Sequence, residues 1–557
     1  MGDYYNISVN LYHKPIQMKL LKYYFLLLSF CFMHFTYAQN LEIQWQNCFG
    51  DGDINNVSCI APTSQGYLLG MQATESGPPN YHGNDDIWLI HIDSLGNKLW
   101  DKCYGGSEFE TPFKIIRISD DAYYIYASTN SNDGDVQSTN HGNTDAWIIK
   151  INGSGDIIWE RCYGGNYREE SRSAQLTLDG GLLILSRILG GGGDISTYYG
   201  YGDIWLTKID SLGNIEWEKT YGNQYLDNAV DILLTSDNGI LITAANDTEG
   251  GMITCHSQLE DDADVWLLKL DMQGNIIWQY CYGGSYYDLA YLALEVEDGF
   301  VISASTHSND GDVSGFHGIP SSTGPNDIWV FKIDFEGNLL WQRCFGGGGV
   351  ESSNHLSQTE EGNFIIIGMT SSNDGDVSGN HSFDDEYDIW IFEFSDGGEL
   401  IWQHCYGGLR NERLKRANPV YKISDYNYVI AANNWLYATD DVECELDNIS
   451  DAWIFEIKDT TVGISQTPQN ETLKVYPNPA NNYVVFETEN TNGVAGNTGT
   501  RQSHTITITN TYGQQITTLQ VKDNKTIWDT RSINSGVYFY SLMIGGKFKS
   551  GKVIVGK

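Results

Sequence analysis

The sequence predicts an all-β chain, a closed seven-bladed β-propeller followed by a small β-sandwich of immunoglobulin-like size. Three observations predict it. First, a two-part pattern recurs along most of the 557 residues: Asp-x-Trp at Asp86/Trp88, Asp145/Trp147, Asp203/Trp205, Asp264/Trp266, Asp327/Trp329, Asp388/Trp390 and Asp451/Trp453, at intervals of 59, 58, 61, 63, 61 and 63 residues. Trp-x-x-Cys-aromatic-Gly alternates with it, beginning at Trp45, Trp100, Trp159, Trp217, Trp278, Trp341 and Trp402, with Thr220 in place of one Cys. Second, turn sequences such as SLGN, MQGN and FEGN join the two parts, and each part alternates apolar and polar residues with period two, which is a β-hairpin signal. Third, the chain enters on the second half-pattern alone, at Trp45 to Gly50, and leaves on the first half alone, at Asp451 to Lys458. If the two orphan halves pair, the first strand completes the last blade and no sheet edge is left open.

Each interval carries a second hairpin. After YGG comes a strand-like run, a turn such as LDGG (178–181) or EDG (297–299), and an apolar run such as FVISAS (300–305). Four short strands per period of roughly 60 residues describe a propeller blade, a unit that buries its faces only against its neighbours. The order DIWLTKIDSLGNIEW, CYGG, an acidic residue, DGG and an apolar strand resembles the bacterial seven-bladed β-propeller repeats known as SBBP, over about residues 41–458. That resemblance implies the fold and no particular activity.

Residues 1–38 read as a secretory signal peptide. Lys19 and Lys22 precede the apolar run YYFLLLSFCFM, and Thr36-Tyr37-Ala38 stands before Gln39 as a small-residue cleavage site, with Met18 an alternative start. No other run is apolar and long enough to span a bilayer. The formal charge of the chain is −40. Residues 470–557 carry nine basic and five acidic side chains, so the excess of acid lies in the propeller, expected over 39–458, and in the linker at 459–470. Such a surface excludes nucleic acid and anionic lipid as partners.

Residues 471–557 hold no copy of the repeat, and YVVFE (483–487), TITITN (505–510), VYFYSLMI (537–544) and KVIV (552–555) alternate as strands of a second domain. This segment resembles the type A C-terminal sorting domain of the Bacteroidetes type IX secretion system, through LKVYPNPANNYVVFE (473–487), TNTYGQQI (509–516) and WDTRSINSGVYFYSLMIGGKFKSGKVIV (528–555). Tyr476, Pro477, Asn478, Pro479, Gly536, Tyr538 and Lys552 carry the match; Asn510 departs from it, standing where the family often has Asp. The resemblance implies the type IX machinery as partner, removal of the domain, and release or surface attachment.

Features that recur in every blade read as architecture. The Asp of each Asp-x-Trp is expected to bond backbone amides at a loop end and the Trp to pack between sheets. The acidic residue seven after each repeat Cys position, at Glu110, Glu169, Asp227, Asp288, Glu351 and Glu412, with Asn55 in the first blade, is read the same way. The six repeat Cys are expected unpaired, because packed sheets lie ~10 Å apart and a disulfide needs Cα atoms ~4.4–6.8 Å apart. Cys59, Cys255 and Cys444 fall outside the pattern and are the residues left to pair among themselves. The SNDGD loops, with Asp133 and Asp135, Asp310 and Asp312, and Asp374 and Asp376, offer clustered oxygens that could suit calcium, against the alternative of an Asx-type turn. His82, His141, His256, His317 and His381 follow such loops and read as solvated.

Residues that break the symmetry are the candidate binding groups: Tyr198, Tyr199 and Tyr201 in the loop STYYGYG, and the basic run Arg410, Arg413, Lys415 and Arg416. Exposed Tyr can stack on sugar rings and a basic run can hold a carboxylate. No nucleophile elbow, phosphate-binding loop, HExxH or paired-Cys motif occurs. The expected function is therefore a binding or adhesion module for glycans or proteins, with a polysaccharide hydrolase or lyase as the alternative.

Overall fold

In a computed structural model the described residues are 41–50, 55–74, 78, 80–247, 250–255, 263–382, 386–415, 418–435, 439–444 and 450–460, and, beyond them, 473–476, 480, 482–488, 505–510, 515–520, 525–544 and 547–556. They form two compact units divided after Thr460. All regular structure among them is β, and no helix is long and apolar enough to cross a membrane. The signal peptide expected at 1–38 lies outside the described residues.

The first unit is a β-propeller built of repeated antiparallel sheets. One sheet runs in chain order through Glu110–Ser119, Ala122–Thr129, Asp145–Asn152 and Ile157–Tyr163. Five others share that topology, and a further sheet contains both chain ends of the unit. The innermost strands touch in succession: Asn56–Pro62 lies on Glu110–Ser119, which lies on Glu169–Leu176, followed by Asp227–Thr235, Asp288–Val296 and Glu351–Gln358. Val420–Ser424 and Asn427–Trp435 of the last sheet return against Asn56–Pro62.

The orphan half-repeats pair as expected. Leu41–Phe49 runs antiparallel to Ser450–Asp459, with Leu41 opposite Asp459, Ile43 opposite Ile457 and Phe49 opposite Ala452. The bonds of an ordinary sheet are reproduced at this seam. Each Asp-x-Trp indole is buried, and its Nε1–H donates to the residue after the next Trp, as Trp147 to Glu160 (2.8 Å), Trp266 to Gln279 (3.0 Å) and Trp390 to Gln403 (3.0 Å). At the seam Trp453 donates in the same way to Gln46 (2.8 Å), 407 residues earlier in the chain.

Neighbouring sheets are tied by the aromatic residue of Cys-aromatic-Gly. The hydroxyls of Tyr104, Tyr163, Tyr221 and Tyr282 donate to the carbonyls of Gly155, Gly213, Gly274 and Gly337 at 2.6–2.7 Å. These glycines sit in the outer hairpin turns with φ of 76°, 83°, 73° and 87°, a region closed to most side chains, which is why each turn ends in Gly-Asn or its equivalent. Tyr406 makes the corresponding bond to Leu41 at the seam (2.6 Å).

The cysteines depart from expectation. Cys48 is disulfide-bonded to Cys444 and Cys281 to Cys255, so two repeat cysteines are paired after all. The spacing argument holds between neighbouring sheets, but a loop can return within one sheet and bring a cysteine beside the repeat position. Cys59, Cys103, Cys162, Cys344 and Cys405 are free and buried.

The second unit contains two antiparallel sheets. One has Leu473–Tyr476, Tyr483–Thr488 and Lys525–Asp529; the other has Gln515–Gln520, Thr505–Asn510, Gly536–Ile544 and Lys547–Val555. Val484, Phe486, Ile506, Ile508, Trp528 and Val553 form a shared core between them.

Candidate functional site

The residues common to the sheets converge at one end of the propeller, where Glu110, Thr129 and Asp145 stand side by side in register. Asp86, Asp145, Asp327 and Asp388 are fully buried, and each Oδ2 accepts from the backbone N–H of His82, His141, His317 or His381 at 2.8–3.0 Å. The Nδ1 atom of each imidazole lies 2.7–3.0 Å from the same oxygen. These histidines are thus caps on the repeat Asp, not solvated loop residues; His256 lies outside the described residues. Tyr199 and Gly200 supply the amides for Asp203, so the aromatic loop does there what the His loops do elsewhere.

A second buried acid stands against six of the repeat Asp residues, Asn55 taking its place for Asp451. A Cβ on Gly105 would lie 2.5 Å from Asp86 Oδ1 and 2.6 Å from Glu110 Oε2, and Gly164 and Gly407 are enclosed in the same way by Asp145 with Glu169 and by Asp388 with Glu412. The first Gly is therefore required in these repeats by the close approach of two carboxyl groups, and Gly50 by Asp451 alone. The N–H of the following residue donates to the second acid, as Gly106 to Glu110 (2.9 Å) and Gly165 to Glu169 (3.0 Å).

Burial pushes the carboxyls of these pairs up: Glu412 to about 9, Glu169 and Asp227 to about 8, and Glu351 to about 7, with the charge of the paired Asp adding to it. A carboxyl whose folded pKa exceeds its unfolded value binds more protons when folded, so its stabilisation is complete near pH 4 and declines as pH rises to the folded value. Unfolding free energy is expected to fall between pH 5 and 9. Glu412→Gln should flatten that decline by a few kcal/mol, because each tenfold change in proton affinity is worth ~1.4 kcal/mol. Denaturant unfolding across that range checks this, and stability rising with pH would contradict it.

The SNDGD loops clamp one sheet to the next. Asp133 Oδ1 accepts from Ser107 N–H (2.7 Å), Asp310 from Ser285 (2.8 Å) and Asp374 from Gly348 (2.6 Å). Asp135 and Asp312 accept from Gly105 (3.4 Å) and Gly283 (3.3 Å), and Asp376 N–H donates to Gly346 O (2.8 Å). His82 Nε2 lies 3.8 Å from Asp135 and His317 Nε2 lies 3.7 Å from Asp376, so a His from one sheet also reaches the loop of the next. The carboxylates of Asp133, Asp135, Asp310, Asp312 and Asp374 thus accept from backbone amides, which is the bonding of an Asx-type turn.

The candidate site lies on the axis. Every complete inner strand carries a β-bulge at the same place, between Val57 and Cys59, Pro112 and Lys114, Ser171 and Ser173, Ala229 and Asp231, Ala290 and Leu292, and Ser353 and His355. A bulge re-aims a side chain out of the alternation. The residues skipped by the ladder are Ser58, Phe113, Arg172, Val230, Tyr291 and Asn354, and all of them line an axial cavity of about 260 Å³. Lys415 occupies the equivalent place in the remaining sheet and lines it too. Each stands three residues after the shared acidic position or Asn55, and all are different.

The cavity is also lined by Lys114, Asn228, Asp231 and Asn418. Asp231 is the one carboxylate among its described lining residues, and it accepts from Ser173 Oγ (2.5 Å). Arg172 pairs with Glu170 (2.7 Å), a carboxylate that Arg187 (2.7 Å) and Arg168 (3.7 Å) share. Lys415 opens to solvent through the cavity, yet the surrounding walls, and secondarily the charge of Arg413, hold its amine below the ordinary lysine value.

The sequence-level binding candidates are distributed differently. Of the described residues of the basic run, Lys415 alone lines the axial cavity. Arg410 pairs with exposed-side Glu386 (3.2 Å), Arg413 stacks 4.8 Å over Tyr387, and Arg416 lies outside the described residues. Tyr198 is partly exposed and Tyr201 is 82% exposed, but neither lines the cavity, and Tyr199 lies by Glu218 and Met252 at the flank of the ring.

In the second unit Tyr476 is exposed at the end of its strand, while Pro477, Asn478 and Pro479 lie outside the described residues. Tyr538 is buried against Trp528, and its hydroxyl donates to Asn534 O (2.9 Å). Gly536 begins the strand that pairs with Lys547–Val555, placing Phe539 opposite Lys552.

Residues 474–556 match the secretion system C-terminal sorting domain. This type IX sorting domain marks the protein as secreted or displayed at the outer-membrane cell surface, and implies interaction with the type IX machinery. No curated protein matches the chain. Similar solved structures include a Bacteroides caccae protein of unknown function (10% identity, covering 62% of this chain and 94% of that one, TM-score 0.34). A protein of unknown function from Dyadobacter fermentans DSM 18053 is 8% identical over 75% of this chain and 99% of its own, with a TM-score of 0.36. A prolyl endopeptidase structure is 11% identical over 78% of this chain and 55% of its own, with a TM-score of 0.38.

Proposed function

We propose that this protein is a Sec-exported, type IX-sorted seven-bladed propeller that binds a ligand in its axial cavity without transforming it, its C-terminal β-sandwich serving for sorting. The observation that carries this reading is the contrast between two repeat-equivalent positions. The acid pairs and Asp-x-Trp bonds are spent alike in sheet after sheet, whereas the bulge position three residues on holds Ser, Phe, Arg, Val, Tyr, Asn and Lys in turn. A scaffold keeps its repeats alike, and a recognition surface needs unlike groups converging on one place.

The alternative, a polysaccharide hydrolase, calls for two carboxyl groups flanking the scissile bond. Asp231 stands without a second carboxylate among the described lining residues, and the buried acid pairs are enclosed at the ends of the sheets. Incubation of the purified protein with a panel of polysaccharides and peptides is expected to give saturable binding without products, weakened tenfold or more by Tyr291→Ala. Product formation abolished by Asp231→Asn would overturn the binding reading.

A further inference from the structure

We propose that the ligand of the axial cavity is a small polyhydroxylated carboxylate of the sugar-acid class, such as a uronic acid. This rests on the axial cavity being the binding site. The chain carries 72 acidic against 32 basic residues, yet the described residues lining the cavity include Lys114, Arg172 and Lys415 against Asp231 alone. Lys114 and Lys415 make no ion pair among the described residues. Arg172 shares its partner Glu170 with the guanidiniums of Arg168 and Arg187. A local surplus of cations inside a strongly acidic protein creates a focused positive potential that only an anion neutralises.

The remaining groups define what accompanies the charge. Two aromatic side chains line the cavity, the half-buried Phe113 and the largely buried Tyr291, and give it an apolar wall on which the C–H edge of a pyranose can lie, while the amides of Asn228, whose Oδ1 accepts from Arg172, and Asn354 stand beside it as groups suited to hydroxyls. The Nδ2 of Asn354 already donates to the backbone carbonyl of Lys415 (3.1 Å), which fixes the orientation of the amide. A volume of about 260 Å³ suits one small ring rather than a bulky apolar molecule. A phosphorylated ligand would use the cations alone and leave the aromatic face and the amides without a role.

The test is calorimetric titration of the exported protein with galacturonate and, separately, with galactose, which differ only in the carboxylate. Galacturonate is expected to bind saturably and at least tenfold more tightly than galactose, and Lys415→Gln should weaken galacturonate about tenfold while leaving galactose unchanged. Inorganic phosphate should compete poorly. Equal binding of the two sugars, weakened by Tyr291→Ala, would overturn the acidic ligand while leaving the cavity as the site. Galacturonate binding indifferent to both Lys415→Gln and Tyr291→Ala would overturn the cavity itself, and absence of galacturonate binding would overturn the sugar-acid class. A circular dichroism spectrum and melting curve matching the parent chain confirm that each variant is folded.

Discussion

Removal of residues 471–557 in the native host is expected to leave the propeller folded and trapped in the periplasm, with loss of most surface and medium signal. The sorting domain is a separate compact unit with its own core of Val484, Phe486, Ile506 and Trp528. Immunoblots of cell fractions measure the outcome. Undiminished surface or medium levels of the truncated protein would contradict it. The propeller's melting temperature, measured on the same truncated chain, should equal that of its transition in the full protein.

Deleting residues 41–49 is expected to have the largest effect on stability. The loss removes the acceptor of the Trp453 indole, the carbonyl that receives Tyr406 and the disulfide partner of Cys444, and it exposes Ser450–Asp459 as a bare edge. A bare apolar edge is a template for pairing with another chain. Several kcal/mol are lost, and each shifts the transition of a domain this large by a few degrees, so a fall of roughly 10 °C or more with concentration-dependent aggregation is expected. Gln46→Ala removes the acceptor of the buried Trp453 indole together with the bonds of the same side chain to Glu443 N–H and Asp441 O, and stranding the indole alone should cost ~1–3 kcal/mol. An unchanged melting curve after the deletion would mean that the seam contributes nothing to the fold.

The scaffold is readable in the sequence because its parts are local and repeated. Period-two alternation announces strands, Gly-Asn turns announce hairpins, and the phase of the orphan halves announces the pairing of Leu41–Phe49 with Ser450–Asp459. Asp86 bonds a backbone amide as the repeat predicts, but the capping role of His82 depends on which loop folds over which sheet end, and spacing does not carry that. The disulfides Cys48–Cys444 and Cys255–Cys281 are illegible for the same reason, since each joins a repeat cysteine to one in a loop of independent course.

The axial residues are hidden because repeats are compared for what they share. Counting three residues on from the shared acid or Asn55 leads to Ser58, Phe113, Arg172, Val230, Tyr291, Asn354 and Lys415, a position whose only regularity is that every sheet fills it differently. The bulge hides it further, because an extra residue shifts the alternation by one and turns inward a side chain that strict period two would point elsewhere. The aromatic loop is the more conspicuous in composition, although Tyr199 and Gly200 serve there as amide donors to Asp203.

The most direct measurement is the position of a bound ligand, obtained by solving the structure of the exported protein with galacturonate or with the best binder from the panel. The account predicts the ligand on the axis, with its carboxylate within hydrogen-bonding distance of Lys415 or Arg172 and its ring against Tyr291. A ligand seated on the loop carrying Tyr198 and Tyr201, with the axial cavity holding only water, would contradict it.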